Sequence, residues 1–168
     1  RPFIYGANIR EFEIDWQSAR RLTDELKPEL KKSELHEGDV LVVRVGEPGI
    51  AAVVDAQGEG SNCASVMFVR KGNFCSNWLA YVMNSSAGRS EVSRVAYGAA
   101  QKQFNIEHAF YFRYPTPPTE EQQTIAERLD TMRQETRIIV DKIGKNIENL
   151  VEYRSALITA AVTGQMEI

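Results

Sequence analysis

The sequence predicts an α+β protein in which a β-rich domain with short helices is followed by one long α-helix of the coiled-coil type. Two observations indicate this architecture. Runs of β-branched and apolar residues, separated by turns rich in Gly and Pro, occupy the middle of the chain. From residue 119 onward, the apolar residues recur instead at steps of three and four, as they do on one face of a helix. We therefore predict a domain over residues 1–118 and a helix over residues 119–168.

The predicted domain begins with a strand at Phe3-Ile4-Tyr5, and a short helix or turn is expected from Ala19 to Leu26. The strand pattern is strongest after Gly38. No phosphate-binding loop of the Gly-Lys-Ser/Thr or G-x-G-x-x-G kind is present, so the glycines are better explained as hairpin turns. The remaining predicted strands cover residues 39–45, 50–55, 64–70 and 109–114, and two short helices cover residues 77–84, with Ser76 as N-cap, and 89–95.

The long helix is predicted to begin at Thr119, because Thr119 and Gln122 have the spacing of a capping box. Gly164 is the expected C-cap. The apolar residues follow a heptad pattern with one extra step between Ile143 and Ile147, and Gly144 at this point could bend the helix. A helix of this length should pair with another helix. The predicted pairing residues, which we call the seam, are Ile125, Leu129, Met132, Ile139, Ile143, Ile147, Leu150 and Leu157.

Composition limits the function. The 168-residue chain is 43% hydrophobic and 26% charged, which is typical of a globular protein. No apolar run approaches the roughly 20 residues of a membrane span. The two cysteines and two histidines have no ligand-pair spacing, so we expect no metal site, and we interpret the cysteines as buried thiols of a cytosolic protein. No nucleophile, base and orienting group can be assembled, so an enzyme is not expected.

The charge distribution favours one basic surface. The whole chain has a net charge of −3, yet residues 70–113 carry six basic residues against Glu91 and Glu107. An acidic protein can still bind nucleic acid through one basic face. The basic residues nearer the N-terminus, interleaved with acids, are interpreted as solvated surface.

Several motifs, in order, resemble the DNA-specificity subunit of type I restriction–modification systems. Two of these motifs, one at each end of the long helix, are the most specific when they occur together. The first is Pro-Pro followed by Glu-Gln at the start of the helix. The second is Tyr-Arg followed by Leu-Ile and Ala-Val-Thr-Gly at its end. The residues that carry the resemblance are Gly38-Asp39-Val40-Leu41, the hairpin Gly46–Gly49, Gly98, Gln101, Pro117-Pro118, Glu121-Gln122, Leu150–Ile158 and Ala161–Gly164. The chain matches one recognition domain and one helix, and it is most similar to the second half of such a subunit.

The resemblance implies that the domain reads one half of a split sequence in double-stranded DNA. It implies that the helix spaces the domains and docks methyltransferase (modification) subunits, and through them the restriction subunit. The helix partner would be the helix of a second recognition domain or of a second copy. The subunit itself is expected to perform no chemistry and to bind no cofactor, because S-adenosylmethionine and ATP belong to the partner subunits.

Candidate DNA contacts were chosen by chemistry, because recognition domains of this family vary. Arg and Lys contact phosphates, while Arg, Asn and Gln can read base edges. Gln101 and Lys102 are the strongest candidates, because the Gly98–Ala100 loop allows close approach of the backbone. The full set is Arg44, Asn62, Arg70, Lys71, Arg89, Arg94, Gln101, Lys102 and Gln103. A second interpretation is a coiled-coil interaction protein without enzymatic activity, whose β domain binds protein instead of DNA.

Overall fold

A three-stranded antiparallel sheet lies at the centre of the N-terminal part of the chain. In a computed structural model that describes residues 1–23, 30–96 and 103–165, strand β5 (Val40–Val43) lies between β6 (Ala51–Val53) and β8 (Val66–Val69). Every residue of β5 is buried. Its continuous apolar run is explained by two clusters, because Val40 and Val42 belong to one and Leu41 and Val43 to the other.

A second, smaller sheet joins segments that are distant in sequence. It consists of β4 (Arg20–Arg21), β1 (Pro2–Ile4) and β7 (Asn62–Cys63), in that order, with β1 antiparallel to β4 and parallel to β7. One residue pair of this sheet, Ile4 and Cys63, belongs to the buried cluster that contains Leu41. The predicted N-terminal strand is thus present, while Arg20–Arg21 form a strand where a short helix or turn was predicted; residues 24–29 lie outside the described part.

A two-stranded hairpin packs across this region. It is formed by β2 (Ile9–Arg10) and β3 (Glu13–Ile14), and its turn residue Phe12 has a φ of 65°. The Phe12 ring lies 4.7 Å from the Tyr81 ring, and its backbone N–H donates to the Ala51 carbonyl at 3.0 Å. A bulky residue adopts this backbone conformation only at a cost, so the ring packing and the hydrogen bond offset strain in the turn.

Three short helices follow the central sheet. Helix α1 (Ser76–Asn84) is capped by Cys75 rather than by the predicted Ser76, and α2 (Ser86–Val95) begins three residues before the predicted start at residue 89. The Ser85 hydroxyl accepts a hydrogen bond from Gly88 N–H at 3.0 Å, which explains the earlier start.

The predicted strand over residues 109–114 is wrong, because α3 (Ile106–Ala109) is followed by irregular chain.

Helix α4 extends over 44 residues, from Thr119 to Val162. It continues through Gly144 without the break that was considered, and Gly164 ends it with a φ of 71°, as predicted. The predicted capping box is wrong. The Gln122 N–H donates to the Pro118 carbonyl at 3.0 Å instead of to the Thr119 hydroxyl, and Thr119 donates to the Asn73 carbonyl at 3.3 Å.

The chain divides into two compact units, Arg1–Ala126 and Glu127–Ile168. The first contains the sheets, α1 to α3 and the first two turns of α4, and the second contains the rest of α4. The functional division at residues 118 and 119 stays a prediction. Among the described residues, no helix combines the length and the hydropathy that crossing a bilayer requires.

Candidate nucleic-acid interface

Arg70 and Lys71, two predicted DNA contacts, lie at a buried carboxylate. Asp39 is 1% exposed and accepts hydrogen bonds from the backbone N–H of His36 at 2.9 Å, from that of Lys71 at 3.2 Å and from the Arg70 guanidinium. The Arg70 guanidinium also lies over the Phe68 ring, 4.4 Å from its centroid. These contacts satisfy a buried charge, which would otherwise be costly. The Lys71 side chain stays exposed, and it covers Gly38.

Arg89 and Arg94 also form ion pairs. Arg89 donates to Glu11 at 2.8 Å and thereby joins α2 to the β2–β3 hairpin. Arg94 binds both oxygens of Glu91, at 3.1 and 2.7 Å, and donates to the Tyr111 carbonyl at 3.1 Å. The hydrogen bonds from Arg94 are the largest cause that lowers the pKa of Glu91 and, in turn, raises that of Arg94. Both arginines therefore have much of their charge neutralised locally.

Arg44 and Gln103 lie close together in the structure. Val45 forms an isolated antiparallel bridge with Gln103, and the Phe104 N–H donates to the Arg44 carbonyl at 2.9 Å. The Arg44 guanidinium donates to the Asn105 side-chain oxygen at 2.6 Å. Both Arg44 and Gln103 are half-buried, so each keeps part of its side chain accessible to a ligand.

Asn62 is placed where a ligand cannot reach it. Its side chain is 0% exposed, and its amide nitrogen donates to the Leu30 carbonyl at 2.7 Å and to the Ser33 hydroxyl at 3.1 Å. In this structure Asn62 therefore holds a turn and does not present a polar group to DNA. Gln101 and Lys102, the two strongest candidates, lie outside the described residues.

Four cations that the sequence pattern did not single out lie on or beside the small sheet. Arg20 and Arg21 form β4, at the edge of the small sheet, and Lys31 and Lys32 lie in a 3₁₀ turn over Lys31–Ser33. All four are exposed, and within the part of the chain that the structure describes none of them forms an ion pair. The signal in the sequence was two adjacent basic pairs, but the acids between and around them concealed it.

A surface cleft of about 560 Å³ lies between the start of the hairpin and the turn after β5. Ile9, Val43 and Ile50 form its floor, while Arg10 and Glu47 contribute charge at its rim. Opposite charges at the rim do not favour a polyanion, so the cleft is a poor candidate for a phosphate site.

The seam is largely exposed within the second unit. Met132, Ile139, Ile143, Ile147 and Leu150 are 53–66% exposed, and Leu129 and Leu157 are half-buried. Ile125 differs, because it belongs to the first unit and packs against the cluster that contains Trp78. A run of exposed isoleucine and leucine residues along one helix face is typical of a surface that another protein segment covers.

A second exposed apolar surface lies on the first unit. Ile106 is 58% exposed, Phe110 84% and Tyr111 67%. Ile106 and Phe110 are four residues apart at α3, so their side chains lie on the same face. Single exposed apolar residues are ordinary, but three so close in sequence form a candidate contact surface.

Within the described parts of the chain, the groups that could support catalysis do not converge. Burial raises the pKa of the Cys63 thiol to about 11, so this sulfur is a thiol and not a nucleophilic thiolate at neutral pH. His36 contacts Glu59 at 2.8 Å on the surface, and hydrogen bonds from His36 and from Glu37 N–H lower the pKa of the Glu59 carboxyl. Among the described residues, no three His, Cys, Asp or Glu side chains are grouped closely enough to bind a metal ion.

Comparison with solved structures shows where this fold occurs. The chain is similar to a structure that describes complex assembly and conformational transition of the type I R-M system, with a TM-score of 0.69 and 18% sequence identity over 95% of this chain. It is also similar to the HsdS subunit from Thermoanaerobacter tengcongensis, with a TM-score of 0.63 and 16% identity over 82% of this chain. No protein-family model matches the sequence, and neither does any curated protein.

In both comparisons the chain spans 37% of the solved chain, little more than a third of its length. At identities below one in five, the likeness establishes the fold. The predicted α+β architecture, with a β-rich domain followed by one long helix, is thus confirmed.

Proposed function

We propose that this chain is a sequence-specific DNA-binding component of a type I restriction–modification complex and reads one half of a bipartite target. The observation that carries the proposal is the extent of the structural likeness, which includes 95% of the chain and therefore both the sheet-containing unit and the long helix. In this proposal the sheet-containing unit reads DNA and the long helix pairs with another helix, so the function requires both units.

The long helix is the proposed pairing and docking element. Its exposed seam has the heptad spacing that packs against a second helix, and burying it would remove several large apolar side chains from water. The partner would be the helix of a second recognition domain or that of a second copy of this chain. Methyltransferase subunits would dock on the paired helices, and the restriction subunit would join through them.

The proposed base-reading surface includes Gln103 and Arg44, together with Gln101 and Lys102. Lys71 lies at the other end of β5, beside Gly38, and remains a separate candidate DNA contact. Gln103 lies next to Arg44, and the Arg44 guanidinium donates to the Asn105 side-chain oxygen at 2.6 Å, so this guanidinium is partly ordered before DNA binds. Such ordering lowers the entropic cost of binding. Arg70, Arg89 and Arg94 are ion-paired, so they could contact DNA only by sharing or exchanging their carboxylate partners.

We propose no reaction for this chain. The raised pKa of Cys63 argues against a thiolate nucleophile at this residue. Methyl transfer and ATP hydrolysis would belong to partner subunits, and the contribution of this chain would be to position them on a chosen DNA sequence.

Selection of bound DNA from a random pool, with the methyltransferase subunit present, tests the proposal. The expected result is enrichment of one half-site, or of a palindrome if two copies pair. Gln101→Ala and Lys102→Ala should each reduce affinity for the selected sequence, whereas Lys145→Ala, on the exposed face of α4, should not. A pool that shows no enrichment would refute the proposal.

An alternative function is protein binding by the first unit, and the exposed Ile106, Phe110 and Tyr111 favour it. The two functions differ in their dependence on salt. Binding to DNA phosphates weakens steeply as salt rises, whereas burial of an apolar surface does not. A partner complex that persists at high salt and is lost in Phe110→Ala would support the alternative.

A further inference from the structure

We propose that the face of the small sheet that carries Arg20, together with the Lys31–Ser33 turn, binds the phosphate backbone of duplex DNA. This inference rests on the proposed function, because it assigns a phosphate-binding surface to the domain that would read DNA. Sequence-independent attraction to phosphates supplies much of the affinity of such domains, and it requires cations that are not already neutralised.

Three of the four arginines predicted from sequence do not meet this requirement well. Arg70 pairs with Asp39, Arg89 with Glu11 and Arg94 with Glu91. A phosphate that binds one of these guanidinium groups must compete with a carboxylate that is already in place. The phosphate-binding surface should therefore be sought among the cations without an ion pair in the described residues.

Arg20 is held ready for an anion by its strand and by an aromatic ring. Phe3 of β1 pairs in register with Arg20 on one side and with Asn62 on the other, so these three side chains project from the same face of the sheet. The Arg20 guanidinium lies over the Tyr5 ring, 5.7 Å from its centroid, and the Tyr5 ring contacts that of Phe3. Stacking orients the guanidinium and leaves its N–H groups available to a phosphate.

Asn62 brings the lysines to the same face. Its amide donates to the Leu30 carbonyl and to the Ser33 hydroxyl. These two hydrogen bonds hold the Lys31–Ser33 turn against the side of the sheet from which Arg20 projects. Two strand spacings separate Arg20 from Asn62, about 10 Å at the usual distance between strands. The Arg20 guanidinium and the lysines of the turn that is anchored to Asn62 would therefore contact different phosphates of one duplex.

Among the described residues, this face carries more positive than negative charge. Lys31 and Lys32 are exposed, and with Arg20 they give three cations. Glu34, which bridges to Asn62, is the carboxylate in the same row, and it is half-buried. A polyanion of regular charge spacing suits this surface, and duplex DNA is the polyanion that the proposed function brings to the domain.

The test uses the full chain, a fluorescent duplex of mixed sequence and anisotropy titrations over a range of salt concentrations. The variants are Arg20→Gln, Lys31→Gln with Lys32→Gln, and all three together. The logarithm of the affinity falls as the logarithm of the salt concentration rises, and each phosphate contact that is lost should make this slope shallower by about 0.9. The control is Lys142→Gln with Lys145→Gln, which removes two exposed charges from α4 and should leave the slope unchanged.

The outcomes separate this inference from the proposed function. If the wild-type chain binds duplex DNA and the triple variant keeps its affinity and slope, the inference is wrong while the function stands. A loss confined to the selected target, with mixed-sequence binding intact, would mean that these residues read bases, and would also overturn the inference. If the wild-type chain binds no duplex under any condition, the proposed function itself fails. A melting temperature close to that of wild type would exclude loss of folding as the cause.

Discussion

The side-chain oxygen of Gln122, in the first turns of the long helix, accepts a hydrogen bond from the backbone N–H of Cys75, at the start of α1, at 3.0 Å. The amide nitrogen of the same side chain donates to the Pro117 carbonyl at 2.8 Å, and Gln122 is 2% exposed. One buried amide thus satisfies an otherwise unpaired donor at a helix start and an acceptor in the Pro-Pro segment. Within the first unit, this contact joins the beginning of α4 to the sheet-packed helix α1.

Replacing Gln122 should destabilise the first unit. Gln122→Ala removes both hydrogen bonds and leaves two partly buried backbone groups unpaired, so we expect a loss of about 2 kcal/mol in the free energy of unfolding. Urea denaturation followed by circular dichroism measures it. Gln134→Ala is the matched control, because it makes the same Gln-to-Ala change in the same helix, at an exposed position. The two variants therefore share the same change in helix propensity. Equal stability of the two variants would contradict the role of Gln122.

Removing the buried charge of Asp39 should have a comparable effect. Asp39→Asn keeps the shape of the side chain but removes its negative charge. The carboxylate oxygens that it replaces accept hydrogen bonds from His36 N–H, Lys71 N–H and the Arg70 guanidinium. We expect a loss of about 2 kcal/mol, below the value for a fully buried pair because Arg70 is 43% exposed. Thermal unfolding measures the change, and Asp141→Asn on the exposed helix should unfold like the wild type.

The Glu91–Arg94 pair predicts a pH dependence. The pKa of Glu91 is lowered from the ordinary value of 4.5, mainly by the hydrogen bonds from Arg94. A carboxyl with a depressed pKa stabilises the fold fully above its unfolded pKa, and this stabilisation disappears as the pH falls through the lower folded value. Wild type should therefore melt slightly above Glu91→Gln at pH 7, with a gap that closes at acidic pH. Because the pair is exposed, high salt should also narrow the gap.

A second substitution checks the cause of this gap. Arg94→Gln removes the same pair from the other side, and it should reduce the melting temperature at pH 7 by a similar amount. In the double variant, the two losses should not add. A gap between wild type and Glu91→Gln that is constant from neutral to acidic pH would mean that the pair does not contribute.

The seam predicts association through the long helix. Ile143→Asp should shift a dimer toward monomer in light scattering, because it would place a charge in an apolar helix interface. Ile138→Asp is the control: Ile138 is 50% exposed against 53% for Ile143, but it lies roughly 140° away around the helix. A chain that is monomeric at high concentration, or equal effects of both substitutions, would count against pairing through the seam.

Where local pattern and global packing agree, prediction from the sequence succeeded. The apolar run of β5 and the seven-residue periodicity of α4 each indicate one type of element, and the structure contains both. The segment at residues 109–114 has equally strong β propensity, yet α3 and irregular chain occupy it. A strand needs a neighbouring strand to bond with, and the bridge in this region involves Val45 and Gln103 instead.

The sequence by itself determined the three strands of the central sheet, the length and end of the long helix and the existence of its apolar seam, because helix and strand periodicity and the conformational freedom of glycine are local properties. Only the tertiary structure decided which cations are neutralised. The ion pair between Glu11 and Arg89 joins residues 78 positions apart, and the one between Asp39 and Arg70 joins residues 31 apart. Such pairs depend on packing, so a count of charges along the chain could not distinguish Arg89, which is ion-paired, from Arg20, which has no ion pair among the described residues.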